Sequence, residues 1–215
     1  MKALLYTAIF GTLMVLSSAT SWAQDFNGVI TVKEVHRANV VKQKMYIKGD
    51  KVRIETYLPN DENALKGVKL IDLASGKVTA LIPARKLYLD MPSRENNRPL
   101  SVEVDKSNEK KAILGKDCKK VTVSSAQKRS KIEYWINAGN FAFYGKMLST
   151  LNKNENTMLF FEKIEGLPSG AMPLKMVEMR MDDTVISTWE VTKIQEEEVD
   201  DSMFVVPDDY SLEER

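Results

Sequence analysis

From Phe26 to Met91 apolar and polar residues alternate in short runs broken by turn residues, and this period of two constrains the fold more than any other feature. Successive side chains of a strand point to opposite faces, so a chain that repeats the pattern builds an antiparallel sheet with one buried face. Six strands are predicted, at residues 26–35, 41–48, 52–58, 68–73, 77–82 and 85–91. Gly49-Asp50, Ser75-Gly76 and Pro83-Ala84 supply tight turns, and the polar stretch 59–66 reads as a loop. Within the third strand Val52, Ile54, Thr56 and Leu58 share one face, while Arg53, Glu55 and Tyr57 share the other.

Residues 92–111 are rich in Ser, Asn, Glu and Lys, which predicts an exposed connection with one short strand near 100–104. A hairpin follows at 121–123 and 132–136. The spacing then becomes helical at Phe141, Tyr144, Met147, Leu148 and Leu151. A second helical segment runs through Met158, Leu159, Phe160, Phe161 and Ile164, with Gly166 and Pro168 as stop signals. Strands return at 174–181 and 185–194, joined by Asp182-Asp183. The expected class is α+β: one large antiparallel sheet with a few helices against one face.

Residues 1–23 carry Lys2, an apolar run from Ala3 to Leu16, and Ser21-Trp22-Ala23 as a small-x-Ala site, the layout of a secretory signal peptide. The apolar run is shorter than the roughly 20 residues a membrane-spanning helix needs. Export to the periplasm is expected, with residues 24–215 as a single domain and no transmembrane span in the mature chain. Removing Lys2 leaves 30 Lys+Arg against 30 Asp+Glu, a balance of zero. A domain of this size buries roughly 70% of its unfolded surface and needs no disulfide staples. The single Cys118, next to a strand-like run, is expected to be buried as a small hydrophobe.

Composition narrows the function classes. A net charge of +1 provides no basic field for nucleic acid, and one His with one Cys cannot assemble a zinc or iron–sulfur site. No cofactor is expected. His36 leads into a polar turn with no Gly-x-Ser-x-Gly elbow or cysteine motif near it, so the chain does not read as an enzyme. The acidic run Glu196-Glu197-Glu198, Asp200 and Asp201 lacks the alternating ligands and Gly of a calcium loop, and reads as a solvated strand end.

Four segments carry a resemblance. They are Phe26-x-Gly28-x-Ile30; Met45 through Glu55; Gly115-x-x-Cys118-Lys119-Lys120-Val121 ahead of Trp135; and Pro173-Leu174 followed by Asp200-Asp201-Ser202-Met203-Phe204-x-x-Pro207-x-x-Tyr210. In this order they resemble an exported bacterial domain-of-unknown-function family in the outer-membrane lipoprotein carrier (LolA/LolB-like) superfamily. The resemblance implies an unclosed, curved half-barrel whose concave apolar face is covered by helices, leaving a cavity for acyl chains.

The candidate ligand-binding wall is Met45, Ile47, Val52, Ile54, Leu58, Leu87 and Leu89 from the sheet, with Phe141, Phe143, Met147, Phe160 and Phe161 as lids. The same alternation also describes a filled core. Met147, Met158, Met172, Met176, Met179, Met181 and Met203 gather in the carboxy-terminal half, where flexible thioethers suit an irregular apolar partner or an irregular core. Arg53 and Glu55 are expected on a solvated face, within reach of Lys42, Lys44 or Glu34. Two functions follow: a periplasmic non-enzymatic protein that shields a lipid or the acyl chains of a lipoprotein, or an envelope interaction or scaffold module with its cavity filled by side chains. The corresponding partners are a lipid or acylated protein, or an envelope protein.

Overall fold

The computed structural model describes residues 25–59, 61–92, 99–151 and 155–213; the predicted signal peptide lies outside them. Twelve strands form one curved, unclosed sheet among the described residues. The first half is a meander of β1 (Gly28–His36), β2 (Asn39–Lys48), β3 (Lys51–Leu58), β4 (Asp61–Asp72), β5 (Lys77–Ile82) and β6 (Leu87–Met91). The second half starts at the opposite edge with β7 (Glu103–Ile113), β8 (Lys116–Ser125) and β9 (Ser130–Ala138). Helices α1 (Ala142–Thr150) and α2 (Asn156–Phe161) follow, and then β10 (Ala171–Arg180) and β11 (Val185–Glu196). Antiparallel pairing of β11 with β1 joins the halves, and the two-residue β12 (Ser211–Leu212) runs parallel to β6 at one edge.

The strands follow from alternation and the hairpins from local turn chemistry. Gly49 takes φ +57° at the first central position of the β2–β3 turn, a conformation a mirror-image hairpin turn needs and Gly adopts freely. At β1 the glycine serves a close approach instead. A Cβ on Gly28 would lie 2.0 Å from the carbonyl oxygen of Gln195, so only Gly lets β11 pair there.

Two polar segments expected to be loops are strands. Residues 61–66 pair with the end of β3 through two bulges, and because they are largely exposed they show no apolar alternation. Residues 103–111, expected to be mostly connection, form most of β7, an edge strand whose pairing with β8 is broken by a bulge between Lys106 and Lys110. Charge and a bulge are the usual protection of an exposed edge against pairing with another chain. The two helices begin and end close to the expected positions.

The main core lies between the concave face and the helices. An aromatic chain runs from Phe26 to Phe141 (5.4 Å), Phe143 (6.4 Å), Tyr144 (6.5 Å), Phe161 (5.4 Å) and Tyr134 (5.6 Å), tying both helices to the sheet. Cys118 is fully buried in this core as a free thiol. A second apolar cluster, Val68, Leu70 and Leu81 with Leu65, Tyr88, Val206 and Tyr210, sits on the other face under the carboxy-terminal segment.

That segment also covers Arg53 and Glu55, which are therefore not on a solvated face. Their side chains are 13% and 8% exposed and form an ion pair at 2.9 Å. Tyr46 and Tyr57 donate to the second carboxylate oxygen at 3.1 and 2.8 Å, and Arg53 donates to the Met203 carbonyl at 3.0 Å. Glu34 is not among their neighbours: the register places it on the concave face. Lys42 pairs instead with Glu62, and Lys44 lies over the Tyr57 ring.

Candidate ligand-binding cleft

Strand register sets out the concave face as rows of directly paired residues. The innermost row is Gly28, Ile47, Val52, Ile71, Val78 and Met91, followed by Ile30, Met45, Ile54, Lys69, Ala80 and Leu89. Val32, Gln43 and Thr56 form a third row. Beyond it come Met176, Trp189 and Glu34, and then Glu178, Ser187 and His36. The face therefore changes from apolar to polar along the strands.

The helices cover the innermost row and leave a cleft of about 450 Å³ over the others. Its floor is Met45 and Ile54, with Gln43, Thr56 and Lys69 beside them. From α1 come Tyr144, Met147 and Leu148, followed by Leu151, and the start of α2 contributes Asn156, Thr157 and Met158. Met176 and Trp189 complete the apolar wall, and Glu34, His36, Glu155, Glu178 and Ser187 form the rim. The volume lies in the lower half of the range of small-molecule clefts, roughly 300–1,000 Å³.

Two of the rim carboxylates accept from uncharged donors. Glu178 accepts from Ser130 (3.0 Å), Asn156 (2.9 Å) and Ser187 (3.5 Å). Glu34 accepts from the Gln43 amide at 3.4 Å. Burial and, next, the neighbouring Glu155 push the Glu34 carboxyl above the usual range, with His36 opposing them. Burial raises the Tyr144 hydroxyl as well, keeping it a neutral phenol at the helix wall.

Of the twelve candidate wall residues, the structure brings Met45, Ile54 and Met147 into the cleft. Ile47 and Val52 lie one row deeper, fully buried. Phe141, Phe143, Phe160 and Phe161 also pack in the core, where they anchor the helices. Leu87 and Leu89 are half-buried on β6, next to the short edge strand β12, and Leu58 is 42% exposed at the end of β3. Sequence reasoning left Glu34, Gln43, Thr56, Lys69 and Trp189 out of the wall. Glu34, Gln43 and Thr56 are in phase with apolar neighbours two residues away, the one signal that could have placed them on the concave face.

A family model described as a domain of unknown function (DUF4412) matches residues 26–210. No curated protein matches the sequence. Among solved structures, an uncharacterised conserved protein from Thermus thermophilus superposes with a TM-score of 0.53 at 12% identity, over 87% of this chain and 89% of that one. It shares the fold. The MucA/MucB complex of Pseudomonas aeruginosa gives 0.48 at 9% identity, over 84% of this chain and 56% of that one. A putative outer membrane lipoprotein-sorting protein domain from Vibrio parahaemolyticus gives 0.35 at 9%, over 82% and 88%.

Proposed function

The chain belongs to the DUF4412 family, and from that premise and the geometry of its cleft we propose that it is an exported, non-enzymatic binding protein that shields an apolar ligand. The observation that carries this reading is the cleft of about 450 Å³ between α1, α2 and the concave face, with Met45, Ile54, Met147, Met158 and Met176 in its lining. Burying a chain there replaces water with apolar contacts worth about 0.8 kcal/mol per methylene, and unbranched thioethers adjust to a mobile chain. Binding and release require no covalent step. The helices rest on the sheet through side-chain packing and a few polar contacts, and at α2 these are the Tyr134 hydroxyl donating to the Thr157 carbonyl and the Asn156 amide donating to Glu178, so a displacement of α2 that breaks them would open the cleft. Among the described residues no helix is long and apolar enough to cross a membrane.

The test is native mass spectrometry of residues 24–215 purified from an envelope extract without detergent, with uptake of the neutral fluorophore 1-N-phenylnaphthylamine as second readout. A retained lipid and saturable uptake are the expected results. Ile54→Trp should fill the floor and weaken uptake about tenfold or more while the fold persists, whereas a filled core would lose about 1–3 kcal/mol to the same overpacking. A clean apo mass with no uptake would overturn the reading and favour a protein partner.

A further inference from the structure

The cleft is not evenly apolar, and the direction of its polarity selects among ligands. Met45 and Ile54 floor one end, while Glu34, Glu155 and Glu178 line the other. Glu34 and Glu178 stand in successive rows of the sheet, and Glu155 immediately precedes α2. Among the described residues, the hydrogen bonds and ion pairs of Glu34 and Glu178 involve Gln43, Ser130, Asn156 and Ser187, none of them cationic. The remaining charged or titratable groups of the lining are His36, in the row of Glu178, the Tyr144 phenol on α1, and Lys69, which pairs with Ile54 on the floor three strands away from Glu34.

We propose that the cleft takes an amphiphile with a protonated amine head, its tail on Met45, Ile54 and Met147 and its ammonium at the rim shared by Glu34, Glu155 and Glu178. This rests on the apolar-ligand reading above and names the ligand class. Two half-buried carboxylates whose partners among the described residues are all uncharged, with a third carboxylate beside them, attract an ammonium, which supplies three donors and a positive charge. A fatty acid would add another carboxylate to the same rim. Among the lysines and arginines, the lining offers it only Lys69, an exposed side chain beside Ile54 three strands from Glu34.

The experiment compares dodecylamine and dodecanoate, each below its micellar concentration, and dodecanol, below its solubility limit, in displacing 1-N-phenylnaphthylamine from residues 24–215 at neutral pH. Dodecylamine should displace with a Kd about tenfold lower than dodecanoate, a ratio in keeping with a partly exposed charge contact. Glu34→Gln with Glu178→Gln should narrow the ratio to about threefold or less, through weaker displacement by dodecylamine. On the unaltered protein, raising the salt to about 0.5 M should narrow it too, which keeps the test independent of how the variant folds. Equal displacement by all three, tighter dodecanoate, or a preference indifferent to salt would overturn the inference while leaving an apolar cleft in place. Failure of dodecanol together with the other two would overturn both.

Discussion

Glu55 shows how far the energetics of one residue depend on what covers it. On an open strand its contact with Arg53 would be worth well under 1 kcal/mol, but in this fold the pair lies beneath the carboxy-terminal segment with both tyrosine hydroxyls turned toward the carboxylate. Burial and the same carboxylate push the Tyr46 hydroxyl up to about 12. Glu55→Ala should therefore cost about 3–5 kcal/mol in urea unfolding, because it strands the guanidinium, and Arg53→Met with Glu55→Leu should recover much of that loss. Leu114 carries the opposite sign. It sits at φ +52° beside Gly115 at +73° in a two-residue hairpin turn, so Leu114→Asn should stabilise by about 1 kcal/mol, read as a rise in Tm. Glu34 gives a pH dependence. Its carboxyl is raised in the folded chain, so between the ordinary carboxylate range and the raised value the folded state binds more protons, and stability falls as pH rises through that interval. Glu34→Gln should accordingly be more stable than the natural protein at neutral pH. The difference should vanish at acid pH below the carboxylate range, and a variant less stable at neutral pH would contradict the assignment.

At the scale of elements, the strands were legible because apolar residues recur at every second position on the concave face. Residues 41–48, 52–58 and 77–82 alternate as required, and the hairpin turns bear the expected Gly and Asp. The exceptions share one cause. Residues 61–66 and 103–111 are exposed on both faces, so nothing in their composition records the pairing that makes them strands. The carboxy-terminal segment is the element whose role sequence could not show. Arg53 holds the Met203 carbonyl, Lys48 and Lys51 pair with Asp201, Lys86 with Asp209, and Arg85 with Glu213. Asp200, read as part of a solvated acidic run, accepts from the Ser202 amide at 2.8 Å and starts a short 3-10 turn. Ending the chain at Val205 should uncover Val68, Leu70 and Leu81, raise binding of an apolar dye such as ANS, and lower the urea midpoint. An unchanged midpoint would mean that the segment is an appendage.

For the whole molecule, the sheet is built from two meanders that meet at β1 and β11, so the concave face is continuous although the chain runs outward from β1 to one edge and returns to β11 from the other. This joint makes the cleft: Glu34 and His36 come from the first half, and Met176, Glu178, Ser187 and Trp189 from the second. Gly28→Ala should therefore disturb more than one strand, since the added methyl meets the backbone of Gln195 at the joint. The expected result is a loss of a few kcal/mol, about 2 or more, with weaker 1-N-phenylnaphthylamine uptake. What depends on local physics can be read from the residues alone: strand and helix type through periodicity, turn positions through Gly and Asp, and an apolar face through alternation. Which part of that face stays open is settled by packing between distant elements. Whether Phe160 plugs the core or Met158 lines a cleft depends on where a helix comes to rest, and whether Arg53 is wet or buried depends on a segment about 150 residues away. Alternation is a property of a single strand, whereas a cavity is the space left between elements whose approach no single strand encodes.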